Sequence, residues 1–102
     1  MMTRKKTHKQ FMAEIVRDAT KRLGWLAYFT WRSKNSPKGF PDLVLAHRIF
    51  GVVFAELKIP PDKLTPEQSI WIEVLRAAGM RAYVWTPADQ NEIDMVLTGR
   101  LK

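Results

Sequence analysis

The chain has 102 residues and a formal net charge of +7, which allows one compact domain but not two. Its apolar share of 46% excludes a disordered protein, and the absence of cysteine excludes a disulfide scaffold and any thiolate metal site. The basic N-terminus leads into no apolar segment, and the longest apolar run has seven residues where a membrane span needs about 20, so we expect a soluble, cytoplasmic protein.

The first predicted element is a helix from about His8 to Arg22, because apolar residues recur there at helical spacing and Gly24 follows as a stop. The aromatic stretch Trp25–Trp31 predicts a strand. Serine, asparagine, proline and glycine in Arg32–Phe40 then indicate a loop with a basic character.

Two apolar runs, at about Asp42–His47 and Val52–Lys58, predict strands joined by a short turn around Gly51. Both runs are apolar on both faces, so we expect helices on both sides of this sheet. Pro60-Pro61 ends the second run, because proline cannot donate to a strand ladder.

Thr65, Pro66 and Gln68 form a capping box with a proline at the first helical position, and Gly79 is the matching stop. The predicted buried stripe of this helix consists of Ile70, Trp71, Val74, Leu75 and Ala78.

A strand at Arg81–Trp85 and a last helix from Thr86-Pro87 to about Leu97 complete the chain. The predicted order is α-β-β-β-α-β-α. We therefore expect a single α/β domain over residues 1–102, with a mixed sheet flanked by helices and a flexible basic tail at residues 1–7.

Three ionisable residues stand at the ends of the two apolar strands: Asp42 opens one, and Glu56 and Lys58 end the other. Charged groups there cost several kcal/mol unless they are paired or bind an ion. A register in which opposed residue numbers add up to 98 places Asp42 opposite Glu56 and on the face of Lys58. Opposed Cβ atoms lie about 4.5–5.5 Å apart, so both carboxylates can hold one cation, and Mg²⁺ suits oxygen ligands.

Lys58 beside such a cation can hold an attacking water or stabilise negative charge on a phosphate. Two carboxylates, a lysine and a metal next to a basic surface point to phosphodiester hydrolysis. The alternative is a structural triad in which Lys58 only pairs with Glu56 or Asp42. The spacing alone does not exclude this alternative, since it is common in proteins.

The positive charge is concentrated at the start of the chain. Residues 1–38 hold ten lysines and arginines against two acidic residues, whereas residues 39–102 have a net charge of −1. Such a patch attracts phosphate backbones, although a basic surface also serves solubility.

Three motifs carry a resemblance to a known family: Gly39-Phe40-Pro41-Asp42-Leu43-Val44, then Phe54-Ala55-Glu56-Leu57-Lys58, then Leu64-Thr65-Pro66-Glu67-Gln68 with Trp71 and Leu75. In this order and spacing the chain resembles the VRR-NUC family, the virus-type replication-repair nuclease branch of the PD-(D/E)xK superfamily. The similarity runs from about residue 8 to residue 97. The combination is far more specific than any one motif and favours a nuclease over the structural triad.

The resemblance implies a restriction-endonuclease-like core and Mg²⁺-dependent endonucleolytic hydrolysis of DNA, with Mn²⁺ as a substitute. By motif match, Asp42 and Glu56 are expected metal ligands together with the Leu57 backbone carbonyl, and Lys58 is the expected catalytic lysine. Gln68 matches the family's glutamine, which either faces the site or only caps its helix.

Family members usually carry a glutamate on the first helix that helps to organise the metal. Glu14 is the glutamate available there, but its helical phase lies roughly 140° from the middle of the apolar stripe, which suits a solvated residue as well as a ligand. His8 is the other candidate for this position, and a carboxylate is then lost.

The expected partner is DNA, and we expect no membrane and no organic cofactor. We expect the phosphate backbone of the DNA to be contacted by basic residues, namely Arg4, Lys5, Lys6, Lys9, Arg32, Lys34 and Lys38. Small members of the family are similar to Holliday-junction resolvases that act as homodimers, which implies branched DNA in a bacterial or phage-infected cell. The aromatic strand and the last helix are the candidate interfaces. The alternative functions are a non-catalytic nucleic-acid-binding module with the same fold and a structural subunit.

Overall fold

The computed structural model describes residues 5–29 and 37–101. Its elements in chain order are α1 (His8–Arg22), β1 (Leu26–Phe29), β2 (Leu43–His47), β3 (Gly51–Leu57), α2 (Pro66–Ala77), β4 (Arg81–Trp85), a 3₁₀ turn (Pro87–Asp89) and α3 (Gln90–Leu97). The predicted order and the α/β fold class are confirmed. The end of the predicted aromatic strand and most of the basic loop lie outside the described residues.

The four strands form one mixed sheet in the spatial order β1-β2-β3-β4. Strand β2 is antiparallel to both β1 and β3, and β4 runs parallel to β3. Leu43 pairs with Ala55 and His47 pairs with Gly51, which confirms the predicted register. Strand β2 starts one residue later than predicted, and β3 lies one residue earlier than predicted. Asp42 therefore lies just before β2, and Lys58 lies just after β3.

The N-terminal cap predicted for α2 is formed, and α1 begins with the same kind of cap, which had not been predicted. Thr65 and Gln68 make the predicted capping box at the start of α2, and Thr7 and Gln10 make the same motif at the start of α1. The last helix begins with the 3₁₀ turn after Thr86, so α3 itself starts at Gln90, later than predicted.

The main core lies between one face of the sheet and the helices α1 and α3. Its buried side chains are Phe11, Met12, Ile15, Ala19, Trp25, Leu43, Leu45, Val53, Ala55, Leu57, Trp85, Ile93, Val96 and Leu97. The indole Nε1 of Trp25 donates to the Leu97 carbonyl over 2.9 Å, which ties α3 to the start of β1. Residues 5–29 and 37–101 contain no helix that is long and apolar enough to cross a membrane.

Helix α2 packs on the other face, beside β4, where Ile72 and Ala82 are buried. The predicted buried stripe of α2 is wrong at Ala78, which is exposed and lies beyond the end of the helix. It is also wrong at Ile70 and Val74, which are exposed. Residues two positions apart on a helix point about 200° apart, so a helix that buries Ile72 turns both of these side chains outward.

Candidate functional site

Asp42 is positioned by a loop that is wedged against the start of α2. Gly39 has a φ of +88°, and a Cβ at this position would lie 2.5 Å from the Glu67 carbonyl carbon, so only glycine allows the close approach. The indole Nε1 of Trp71 donates to the Lys38 carbonyl over 3.1 Å. These contacts fix the chain immediately before Asp42. No feature of the sequence predicts this packing role of Gly39.

The carboxylate of Asp42 is held by two donors on the same oxygen. The backbone N–H of Leu57 donates to Asp42 Oδ2 over 3.0 Å, and His8 Nε2 lies 3.0 Å from that oxygen. Extending the register of the hairpin by one residue places Asp42 opposite Glu56. The loop, the hairpin and the first turn of α1 therefore meet at Asp42.

Glu56 is a buried carboxyl group that lies against Asp42. Only 2% of Glu56 is exposed, and its Oε1 has no hydrogen-bond partner among the described residues. Burial and then the negative charge of Asp42 raise the pKa of Glu56 from 4.5 to about 8. The nearby Lys58 ammonium opposes this rise.

Lys58 lies beside Glu56, with its Nζ 3.7 Å from Glu56 Oε2. Its backbone N–H donates to the Trp85 carbonyl over 2.9 Å, so pairing with β4 continues to this residue. Asp42, Glu56 and Lys58 are thus brought together at one end of the sheet, as the register implied.

A divalent cation fits this donor set. Two carboxylates in contact repel each other when both are ionised, and the buried Glu56 Oε1 is an unused oxygen ligand. Residues 5–29 and 37–101 contain no three His, Asp or Glu side chains that already form a metal-binding group. A cation held by Asp42 and Glu56 therefore needs further ligands from backbone carbonyls and water, which suits Mg²⁺. The role of the Leu57 carbonyl stays a prediction.

Gln68 is used as a helix cap. Its Oε1 accepts from the Thr65 N–H over 2.9 Å, and its own N–H donates to the Thr65 hydroxyl over 3.2 Å. Gln68 thus makes the capping hydrogen bonds that were one of its two predicted roles, and a catalytic role for Gln68 stays a prediction.

On the first helix, His8 and not Glu14 contacts the site. Glu14 forms an ion pair with Lys6 over 2.7 Å. It stands six residues after His8, which is about 9 Å further along the helix axis and 120° around it. The role of Glu14 as a metal ligand stays a prediction. At the start of the helix, it is the imidazole nitrogen of His8 that contacts Asp42.

Two of the basic residues predicted to bind DNA make contacts near the start of α1. Lys5 Nζ donates to the Pro60 carbonyl, two residues beyond Lys58, and Lys6 pairs with Glu14. Lys38 is exposed beside the loop that precedes Asp42, and Lys9 is exposed on α1. The flexibility of segment 1–7 stays a prediction. Arg4, Arg32 and Lys34 lie outside the described residues.

Comparison with known proteins places these residues in a nuclease context. The family model of the VRR-NUC domain matches residues 3–89. The chain is similar to a Fanconi-associated nuclease 1 homolog of Caenorhabditis elegans, with 39% identity over 59 residues. This match covers 57% of the chain but only 7% of the relative, so the chain spans a small part of that protein's length.

Proposed function

The chain belongs to the VRR-NUC family of nuclease domains, and from this membership and the geometry of the site we propose that it is a metal-dependent DNA endonuclease. The observation that carries the proposal is the group formed by Asp42, Glu56 and Lys58. Glu56 is buried against Asp42 with one oxygen unpartnered, and Lys58 Nζ lies 3.7 Å from its other oxygen. This is the donor set that phosphodiester hydrolysis with a divalent cation needs.

The three residues divide into two roles in the proposed reaction, two carboxylates that would hold the cation and one lysine. Mg²⁺ or Mn²⁺, when bound, polarises the phosphate and makes water a better nucleophile. Asp42 and Glu56 hold the cation, and Glu56 must lose its proton to do so. Lys58 places a fixed positive charge where it orients the attacking water and stabilises the charge that develops on the phosphate.

The basic residues around the site support DNA as the substrate. Lys5 reaches the Pro60 carbonyl just beyond Lys58, and Lys38 precedes Asp42. Lysines around a cleft attract the phosphate backbone with little sequence preference. We therefore expect selection by the shape of the DNA, with branched DNA such as a Holliday junction as the preferred form.

A homodimer follows from the same proposal. Each chain carries one group of catalytic residues, and cutting both strands at a junction needs two. Strand β1 lies at the edge of the described sheet, and its Leu26 and Tyr28 are exposed, so β1 is a suitable surface for a second copy.

Cleavage of a panel of branched, duplex and single-stranded DNAs in Mg²⁺ or Mn²⁺ tests the function. We expect wild type to cut and Lys58→Ala to lose about 10²–10³ in rate, because a preorganised charge at the phosphate is removed, while DNA binding persists. Lys21→Ala is the matched control, since Lys21 is exposed and lies about 20 Å from His8 along α1. Equal loss in both variants contradicts a catalytic role of Lys58.

A non-catalytic binding module is the second candidate, and one observation favours it. Glu14 pairs with Lys6, so the first helix brings a histidine and not a carboxylate to Asp42. The same panel separates the two functions. A wild-type protein that binds DNA but cuts no member of the panel with either cation is a binding module.

A further inference from the structure

The first turn of α1 brings a histidine into the site. The capping box of Thr7 and Gln10 fixes the start of the helix at His8, and the buried Phe11 and Met12 hold the following turn against the sheet. His8 thereby lies beside Asp42, which is 34 residues further along the chain, with Nε2 3.0 Å from Oδ2. Its side chain is partly exposed and fills no place in the core.

The chemistry of the contact defines which partner donates. An ionised carboxylate oxygen only accepts hydrogen bonds, and Oδ2 already accepts from the Leu57 N–H over 3.0 Å. His8 Nε2 therefore carries a hydrogen and donates a hydrogen bond to the same oxygen. With Oδ2 occupied by two donors, Oδ1 is the oxygen of Asp42 that remains for a ligand.

We infer that His8 is a positioning residue, which orients Asp42 so that Oδ1 faces the cation shared with Glu56. This inference rests on the proposed function, since it concerns the same metal site. Ligating carboxylates are held by hydrogen bonds from a surrounding shell, and loss of such a partner costs about 10–100-fold in metal affinity or activity. Among the described residues, His8 provides this hydrogen bond from a side chain, and Leu57 provides it from the backbone.

Calorimetric titration of Mn²⁺ into the full chain tests this role. We expect His8→Ala to bind Mn²⁺ about 10–100-fold more weakly than wild type. His8→Gln, whose amide N–H reaches a similar position, restores most of the affinity. His47→Gln is the matched control, because His47 Nε2 contacts the Leu23 carbonyl and is unconnected to Asp42.

The kinetics of cleavage give a second measurement, which would not change if His8 had only a structural role. In His8→Ala, the Mn²⁺ concentration for half-maximal cleavage rises, whereas KM for DNA and the rate at saturating Mn²⁺ stay near the wild-type values. Pulsed electron paramagnetic resonance of the Mn²⁺ protein detects no histidine nitrogen bound to the ion. A nitrogen signal that disappears in His8→Gln makes His8 a ligand and overturns the positioning role.

The two proposals fail in different ways. If Asp42→Asn abolishes Mn²⁺ binding while His8→Ala binds as wild type does, the role of His8 is overturned and the nuclease function stands. If wild type binds Mn²⁺ with the expected dependence on His8 but cuts no DNA, the nuclease function is overturned alone. A wild-type chain that binds no Mn²⁺ overturns both.

Discussion

Glu56 shows at the scale of one residue how function can oppose stability. Its side chain is almost fully buried and lies against a second carboxyl group, and one of its oxygens has no partner within residues 5–29 and 37–101. Replacing such a group by an apolar one is often neutral or stabilising, so its presence is explained by what it binds. The raised pKa of Glu56 likewise indicates a functional site, because strongly shifted pKa values cluster at such sites.

The raised pKa of Glu56 makes the stability of the metal-free protein depend on pH. Between its ordinary pKa of 4.5 and about 8, folded Glu56 holds a proton that the unfolded chain releases, so the free energy of unfolding falls as pH rises through this window. The slope reaches at most about 1.4 kcal/mol per pH unit. Urea unfolding in chelator from pH 4 to 9 measures it. Glu56→Gln removes this contribution, and parallel profiles for the two proteins contradict the raised pKa.

The residues of the site divide into those that the sequence predicts and those that it does not. Asp42, Glu56 and Lys58 could be predicted, because they are charged residues at the ends of apolar strands. The short turn between β2 and β3 sets the register of these strands. The contact of His8 with Asp42 could not be predicted, since it depends on how α1 lies on the sheet. The sequence therefore left Glu14 and His8 as alternatives, and the structure adds that His8 contacts Asp42.

At the scale of elements, starts and register were predictable, but the orientation of α2 was not. Capping residues act locally, and the hairpin has one register that keeps its apolar pairs together. Helix α2 carries apolar residues on nearly opposite sides, so periodicity could not show that Ile72 faces β4 while Ile70 and Val74 are exposed. Packing against the sheet decides this, and the same packing brings Gly39 onto the start of α2.

Gly39→Ala tests whether the contact between the loop and α2 keeps Asp42 in position. Gly51→Ala is the matched control, because both glycines have a φ near +90° but only Gly39 faces backbone at 2.5–2.7 Å, in Glu67 and Gln68. We expect Gly51→Ala to lose about 1–2 kcal/mol from the left-handed backbone alone. Gly39→Ala loses roughly 1–3 kcal/mol more through the clash, and Mn²⁺ affinity falls because Asp42 moves. Urea unfolding and calorimetry measure these effects, and equal losses contradict the close contact.

At the scale of the whole molecule, the described surface has a basic region beside the site and an apolar edge at β1. The basic residues near the start of α1 and the loop before Asp42 lie at the end of the sheet that carries the carboxylates. The exposed apolar side chains Leu26 and Tyr28 lie on the edge strand β1. In the proposed arrangement, DNA would bind at the basic region and a second chain at β1, so that two sites could act on one junction.

The oligomeric state tests this arrangement, because Leu26 is 76% exposed and its substitution affects a single chain little. We expect wild type at micromolar concentration to sediment at twice its 11.9 kDa, and Leu26→Lys to sediment as a single chain, since a charge on an edge strand opposes pairing. Ile49→Lys is the matched control, since Ile49 is 77% exposed in the turn between β2 and β3. The single-chain variant keeps DNA binding at one site but nicks junctions on one strand at a time. A wild type that sediments as one chain, or the same mass for both variants, contradicts pairing through β1.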